Sequence, residues 1–467
     1  MNKQVWQQAI SGVKNIFSES LVEAIARESK FIQRNTGRVS PTGLLFALTV
    51  SISQNALSSL NEICEIISTF NGLKVSSQAL SQRLGSHYTV RFLQRCLAHL
   101  LREKSRSGTA RLRFDGILNC FSNIYIEDST SCKLHQHASK DFRGLGGSAS
   151  SAGYKLHSIW NASTSVFTSF LIGPVAIPDQ SMCRHILNYV KSGDLVLRDL
   201  GYFSLFCFQE IAEKNAYFLS RLKPGVKVYT PEGELIQDLG KYLDKTTKSI
   251  KQFDQWLYIG ANKRNKVRLI ALKVPESVYN KRMRKQKRVS QRRGTTPSKG
   301  AKALAKFTVL ITNIPESKVS SEQVTVLYGF RWQIELLFKS FKSHLHIDLI
   351  KGKSKERIEC YIIAKLISIV AITHVFSQLE QYVRAFHRLE LSYYKFVGAS
   401  VANKLLQVMF SEEKLFHTEV QIENMCMVGL CKQKRKRRTT LGLLQDGASI
   451  WEKFKENPFE APDPVAA

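Results

Sequence analysis

The hydrophobic pattern of the chain changes from a helical period to a strand period and back. Apolar residues recur at helical spacing over 60–70, and Asn71-Gly72 interrupts the pattern. From Ile117 the pattern favours strands, at 117–128, 154–160, 165–172, 194–199 and 216–220. The later strands alternate with helical segments such as 204–214. Strands followed by alternating strands and helices predict a mixed-sheet α/β core.

A different pattern occupies residues 221–317. A Pro-Glu-Gly turn at 231–233 precedes two alternating segments, 253–259 and 267–274, which predict strands. The basic segment 281–288 follows, and the strand 307–312 returns the chain to the core. We therefore expect residues 221–317 to form an inserted, mostly β domain.

The strongly positive net charge of the chain indicates which class of molecule it binds. The 467 residues include 68 Lys and Arg against 38 Asp and Glu, a formal net charge of +30. A chain this basic repels itself unless a polyanion neutralises it, so nucleic acid is the expected partner. The longest apolar run, 361–376, contains Lys365 and His374 and is shorter than the roughly 20 residues of a bilayer span. We expect a buried core helix there, and no membrane association.

The nine cysteines form no Cys-x-x-Cys pair and no spacing typical of a zinc site or a disulfide framework. This usage predicts a reducing compartment, the cytoplasm. His135 and His137 follow Cys132 closely, but together they would make a poor zinc spacing, so loop histidines are the alternative.

The N-terminal region contains a helix-turn-helix outline. The helical segment 60–70 ends at Asn71-Gly72, and Ser76-Ser77 can cap a second helix. This second helix presents three side chains able to read base edges or hold phosphates: Gln78, Gln82 and Arg83. Two helices joined by Asn-Gly are also common in helical domains in general, so a purely structural role stays open.

The segment from Tyr328 to Lys342 has the most informative pattern. It has no proline and one early glycine, so a helix is predicted. At 3.6 residues per turn, one stripe about 60° wide and about 21 Å long holds Tyr328, Arg331, Glu335 and Lys342. Another face holds the apolar residues Leu327, Phe330, Ile334, Leu337, Phe341 and Leu345. This pattern suits a buried helix whose carboxylate holds a metal ion while its cations hold DNA phosphates.

The spacing Tyr-x2-Arg-x3-Glu-x6-Lys in this segment resembles the signature of the bacterial DDE transposases of the insertion-sequence-four family. Two further motifs are similar to that family's: Asp128 stands in Ile-Glu-Asp-Ser-Thr, and Asp199 stands in Val-Leu-Arg-Asp-Leu-Gly-Tyr. Together the three motifs cover most of residues 117–350. The resemblance implies a ribonuclease-H-like mixed-sheet core, interrupted by the insertion and flanked by helical terminal regions.

The same resemblance implies cleavage at transposon ends and strand transfer into target DNA. Two Mg²⁺ ions about 3.5–4 Å apart, held by oxygen ligands, would activate the nucleophile and stabilise the leaving oxygen. We expect Asp128, Asp199 and Glu335 to hold these ions, with Mn²⁺ as a substitute. Tyr328, Arg331 and Lys342 would contact DNA.

The partners implied are double-stranded DNA, as terminal inverted repeats and as target, and a second copy of the chain on paired ends. The protein would be cytoplasmic and nucleoid-associated. A nuclease without strand transfer and a transposase-derived, non-catalytic DNA-binding regulator are the alternatives.

Two assignments have close competitors. Glu127 is a second acid beside Asp128, but on a strand it points to the opposite face. Family members stack a flipped base on an aromatic of the inserted domain, usually Trp, whereas Phe307 stands at the similar strand here. A core role for Phe307 is equally open, and Trp256 and Trp332 are alternative aromatics.

These expectations divide the chain into five segments: a helical DNA-binding region (1–112), the first part of the catalytic core (113–220), the β-rich insertion (221–317), the second part of the core (318–385), and a helical C-terminal region with a basic run at 432–438 (386–467). The C-terminal region is a candidate for dimerisation.

Overall fold

The computed structural model describes residues 16–33, 39–54, 58–72, 74–106, 116–146, 150–247, 252–261, 265–292, 294–296, 299–387, 389–398 and the single positions 406, 410, 430 and 431. The basic run 432–438, and most of the segment 386–467, lie outside the described residues.

The helices are α1 (Glu19–Glu28), α2 (Pro41–Gln54), α3 (Leu60–Asn71), α4 (Ser77–Leu84), α5 (His87–Arg106), α6 (Leu205–Glu213), α7 (Leu239–Thr246), α8 (Glu276–Arg292), α9 (Lys299–Leu304), α10 (Ser321–Phe330), α11 (Trp332–Ser343), α12 (Lys355–His387) and α13 (Tyr393–Gly398). The strands are β1 (Ile124–Lys133), β2 (Gly153–Asn161), β3 (Val166–Pro174), β4 (Leu195–Arg198), β5 (Tyr217–Arg221), β6 (Val228–Tyr229), β7 (Gln252–Ile259), β8 (Asn265–Lys273) and β9 (Phe307–Thr312).

The chain divides into two compact units. The first comprises Met1–Leu112, Ser129–Ile177 and Gln333–Lys434, and the second comprises Arg113–Asp128, Pro178–Trp332 and Arg435–Ala467. The first unit is mostly helical, with the antiparallel pair β2 and β3 next to its part of β1. The second unit contains most of the strands. The prediction of a mixed α/β protein is therefore confirmed.

The two helices of the predicted helix-turn-helix outline, α3 and α4, begin and end close to where the sequence predicts. Gly72 ends α3 with a φ of 69°, a left-handed conformation in which side chains with a Cβ are strained. The Ser76 side chain accepts a hydrogen bond from the backbone N–H of Ala79 and so caps α4. The predicted pair of helices is thus present, while its DNA-binding role stays a prediction.

Helix α12 is the core helix that the apolar run predicts. Its part Lys355–Gln381 is long and apolar enough to cross a membrane by composition, but its most apolar window is entirely buried inside the protein. The helix packs against α5 and α2 in the first unit. Core helices commonly meet the same length and composition test, and this burial identifies α12 as one.

One sheet runs through the second unit in the order β1-β4-β5-β9-β8-β7-β6. Strands β1, β4 and β5 are parallel to one another, and the remaining pairs are antiparallel. All four residues of β4 are buried, as expected for a parallel strand covered on both faces. The strands of segment 221–317 extend this sheet beyond β5, in the order β9-β8-β7-β6.

Two sequence predictions need correction. Segment 221–317 contains helices α7, α8 and α9 besides its strands, and the basic residues 281–288 lie in α8. Lys, Arg, Gln and Met are good helix formers, which explains the helix there. Strand β1 does not end at Asp128 but continues to Lys133, although only its residues Ile124–Glu127 pair with β4.

The predicted single helix over 328–342 is also interrupted. Helix α10 ends at Phe330 and α11 begins at Trp332, because the N–H of Arg331 donates to the carbonyl of Tyr328 at 3.1 Å, three residues back instead of four. Arg331 still has helical dihedral angles, with φ −50° and ψ −32°. The predicted apolar face is confirmed, since all of its members are buried: Leu327, Phe330, Ile334, Leu337, Phe341 and Leu345.

Candidate active site

Asp128 and Asp199 follow equivalent positions on two neighbouring parallel strands. The last paired residues of β1 and β4 are Glu127 and Arg198. Asp199 keeps an extended backbone, with φ −82° and ψ 168°. Because successive side chains on extended chains alternate between faces, both aspartates lie on the face opposite Glu127 and Arg198. The sequence expectation that Glu127 points away from Asp128 agrees with this arrangement.

Each aspartate has an arginine partner within the second unit. The Nη1 of Arg331 lies 2.9 Å from Oδ2 of Asp128, and the Nη2 of Arg221 lies 3.0 Å from Oδ1 of Asp199. Burial alone would raise the pKa of Asp199, but Arg331 and Arg221 outweigh it and hold this pKa below its ordinary value. Asp199 is therefore ionised at neutral pH.

Tyr328 lies beside these pairs. Its side chain is buried, and the guanidinium carbon of Arg331 lies 6.0 Å from the centre of its ring. Burial raises the pKa of the Tyr328 phenol, so the hydroxyl stays protonated. The hydroxyl lies near Arg221 but forms no hydrogen bond of good geometry within the described part of the chain. It is thus a donor available beside two arginines.

Glu335 and Lys342 lie in the first unit, on α11. Both side chains are partly exposed. The Nζ of Lys342 donates to the carbonyl of Ser131 at 3.1 Å, which ties the last turn of α11 to β1. Across the described residues, no group of three or more His, Cys, Asp or Glu side chains is arranged to hold a metal ion.

The three candidate DNA-contacting residues of α4 have different environments. Gln78 and Gln82 are exposed. Arg83 instead donates to the carbonyl of Phe31 at 2.9 Å, and its guanidinium carbon lies 5.0 Å from the centre of the Phe31 ring. Arg83 thus packs against Phe31 in this structure, and its contact with DNA stays a prediction.

Phe307 is not an open stacking platform. It is only 3% exposed, and its carbonyl accepts a hydrogen bond from Arg282. The residue is part of the lining of a cavity of about 1070 Å³. The two alternative stacking aromatics have different surroundings. Trp332 is 38% exposed, and the Nζ of Lys266 lies 5.7 Å from the centre of the Trp256 ring.

His135 and His137 are exposed, with stacked rings 4.4 Å apart. Neither belongs to any metal-holding group among the described residues. This arrangement agrees with the loop-histidine alternative.

Sequence reasoning missed Arg221 and Arg198. Ser220 pairs with Arg198 across β4 and β5, so the residues that follow these two partners, Arg221 and Asp199, lie side by side. The only sequence signal is a basic residue at the end of an apolar strand. Recognising it requires the strand register, which the sequence pattern does not provide.

Comparisons with known proteins agree with these motifs. The sequence model of the family described as "Transposase DDE domain" matches residues 119–371. The transposase of insertion sequence element IS231C from Bacillus thuringiensis subsp. berliner is 30% identical over 81% of this chain and 82% of its own length. That of IS1151 from Clostridium perfringens is 25% identical over 95% and 97%.

Among solved structures, the piggyBac transposase synaptic complex with hairpin DNA gives a TM-score of 0.41 at 10% identity, covering 93% of this chain and 86% of that one. The family assignment rests on the match over residues 119–371 and on the identity to the IS231C transposase. The chain belongs to the family of DDE transposases.

Proposed function

We propose that this DNA transposase cleaves DNA at the ends of its element and joins the exposed 3′-hydroxyl to target DNA. As a DDE transposase it uses a divalent metal ion. We assign two Mg²⁺ ions, replaceable by Mn²⁺, to Asp128, Asp199 and Glu335. The observation that carries the proposal is the pair of aspartates that directly follow the last paired residues of the neighbouring parallel strands β1 and β4, each held by an arginine.

The core of the proposal is a ribonuclease-H-like fold. Its support is the strand order, with β3-β2-β1 in the first unit and β1-β4-β5 in the second. The two aspartates stand on or directly after the first and fourth strands, as the family resemblance implies. In this assignment 113–220 and 318–385 make up the core and 221–317 is the insertion.

The donor set suits a hard divalent cation. Carboxylate oxygens are the ligands that Mg²⁺ prefers, and Asp199 is ionised because its pKa is low. Each aspartate already lies next to a cation: a guanidinium nitrogen of Arg331 is 2.9 Å from Asp128, and one of Arg221 is 3.0 Å from Asp199. When bound, a metal pair lowers the pKa of the attacking water or hydroxyl and stabilises the leaving oxygen.

Three residues beside the two aspartates, Arg331, Arg221 and Tyr328, supply the hydrogen-bond donors that carboxylates lack. A guanidinium offers a planar fork of N–H groups that fits a phosphate, and Arg331 and Arg221 place two such groups beside the aspartates. Tyr328 adds a protonated hydroxyl. We assign these three residues, together with Lys342 from α11, to hold and orient the phosphodiester.

Recognition of the element ends is assigned to the N-terminal helices. Gln78 and Gln82 are exposed on α4 and have the amide groups that read adenine edges. We further propose a homodimer on paired ends, with 386–467 as the candidate dimerisation region.

One assay tests the catalytic assignment. Purified protein is incubated with Mg²⁺, a duplex carrying the element's terminal inverted repeat, and a target plasmid. Cut ends and joined products are then scored separately. Wild type is expected to give both, whereas cut ends without joined products would indicate a nuclease without strand transfer.

Three variants make the test specific. Asp128→Asn, Asp199→Asn and Glu335→Gln should each abolish cutting while the protein still binds the terminal duplex. Glu322→Gln is the matched control, because Glu322 is an exposed acid on α10. Persistent cutting by any one of the three variants would remove that residue from the metal site.

A further inference from the structure

Helix α8 has a charge distribution that the catalytic assignment does not use. Its 17 residues include seven basic residues and one acidic residue, Glu276. Because the helix rises about 1.5 Å per residue and turns about 100°, four of the basic residues share a stripe about 80° wide and about 16 Å long. We call this set the α8 stripe: Lys281, Arg284, Arg288 and Arg292.

The α8 stripe faces away from the protein. All four of its residues are exposed, and none of them forms an ion pair with any described residue. The opposite side of the helix lines the cavity of about 1070 Å³ with Gln286, Val289 and Ser290. One face of α8 is thus fixed against the second unit and the other is purely cationic.

A buried arginine holds the helix in this orientation. Arg282 is 9% exposed and donates to the carbonyls of Ala305 and Phe307 at 3.2 and 2.7 Å, and to Oγ1 of Thr308 at 2.9 Å. These bonds fasten α8 to β9 and the turn before it. The rotation of α8 about its own axis is therefore set, and the stripe is held outward.

The same cavity connects α8 to the aspartate-bearing end of the sheet. Its lining runs from Arg282 and Val289 on α8 to Leu200 and Arg221 beside Asp199, all within the second unit. A linear ligand lying along α8 would therefore be bound by the same unit that holds the two catalytic aspartates.

We propose that the α8 stripe binds the phosphate backbone of double-stranded DNA without reading its sequence. Duplex DNA has one negative charge per about 1.7 Å of axis, so a stripe of about 16 Å faces roughly nine phosphate charges. The centre of a protein interface, in contrast, is apolar and depleted in charged residues, whereas every position of the stripe is a cation. The proposal rests on DNA as the substrate, not on which residues cut it.

The test measures DNA affinity against salt concentration with the full-length protein in EDTA, so that no cutting contributes. The probes are a duplex carrying the terminal repeat and an unrelated duplex of equal length. In the variant Lys281→Gln/Arg284→Gln/Arg288→Gln, the slope of log affinity against log salt should flatten by about two to three for both probes. Arg282 is kept, and thermal unfolding verifies the fold.

A charge-matched control has Lys241→Gln, Lys287→Gln and Lys302→Gln, three exposed lysines off the stripe in the same unit. Its slope should stay within about 0.5 of wild type. Equal flattening by both variants would show an effect of net charge alone and overturn the proposal. So would an unchanged slope in the stripe variant, or a loss confined to the terminal-repeat duplex. Because nothing is cut in this assay, failure of the proposed catalytic residues would leave its outcome unaffected.

Discussion

Glu127 and Arg198 form an ion pair of 2.8 Å, with side chains only 3% and 0% exposed, directly before the two aspartates of the site. They are register partners on parallel strands β1 and β4. Arg198 also donates to Cys207 Sγ at 3.0 Å and to the carbonyl of Cys183. The pair locks the register of the two strands, and the register in turn places Asp128 beside Asp199.

Removing one partner of this buried pair should be costly. Burial raises the pKa of Glu127 to about 7, although Arg198 opposes the rise. Arg198→Met would leave the carboxyl buried without its counter-charge, so we expect the free energy of unfolding to fall by about 3–5 kcal/mol. Urea unfolding measures it. Glu127→Gln/Arg198→Met should recover part of the loss, and a single Arg198→Met variant as stable as wild type would contradict the locking role.

Removal of divalent metal should leave the fold intact. Arg331 and Arg221 balance the charges of Asp128 and Asp199 within the protein itself, so no metal is needed to relieve repulsion between them. In buffer without added divalent metal, we expect the same melting temperature with and without EDTA. Added Mg²⁺ should stabilise wild type, by about 2.7 kcal/mol at a hundredfold excess over Kd, but not Asp128→Asn. A melting temperature that drops in EDTA would argue for a structural metal.

Lys342→Ala should weaken DNA binding and flatten its salt dependence by about one charge. Lys342 is partly exposed, and its contact with the carbonyl of Ser131 holds its ammonium group close to β1. Lys339→Ala is the control, since Lys339 is an exposed lysine on the same helix. Equal effects of the two substitutions would exclude a specific role for Lys342.

The buried Lys365 should make stability depend on pH in the alkaline range. Burial lowers the pKa of its ammonium from 10.5 to about 8, while Nζ donates to the carbonyls of Leu345 and His346. Between pH 8 and 10.5 the unfolded chain binds more protons at this group than the folded chain does. Wild type should therefore gain stability relative to Lys365→Met as pH rises from 8 to 10. Urea unfolding at both values checks this, and a constant difference would refute it.

Local pattern was enough to predict the apolar face of α10 and α11 and the cap at Ser76, because both depend on residues close in sequence. The interruption at Arg331 was not predictable in this way, since no proline stands there and the Arg331 side chain reaches Asp128, 203 positions away in sequence. The pairs of Arg221 with Asp199 and of Arg198 with Glu127 likewise depend on strand register. The sequence pattern does not distinguish Arg282 from the solvated cations around it, because its hydrogen-bond acceptors lie on β9 and the turn before it.

The pairing of β5 with β9 has a consequence for insertions into the chain between them. The strands are antiparallel neighbours, with Arg221 opposite Leu310 and the N–H of Leu222 bonded to the carbonyl of Val309 at 2.9 Å. The chain thus leaves β5 and returns as its neighbour β9 at adjacent points, and the connection between them contributes β6, β7 and β8 to the far side of the same sheet. Because the two ends of this connection are adjacent, sequence inserted within it, by evolution or by engineering, would lengthen the connection and leave β5 and β9 paired.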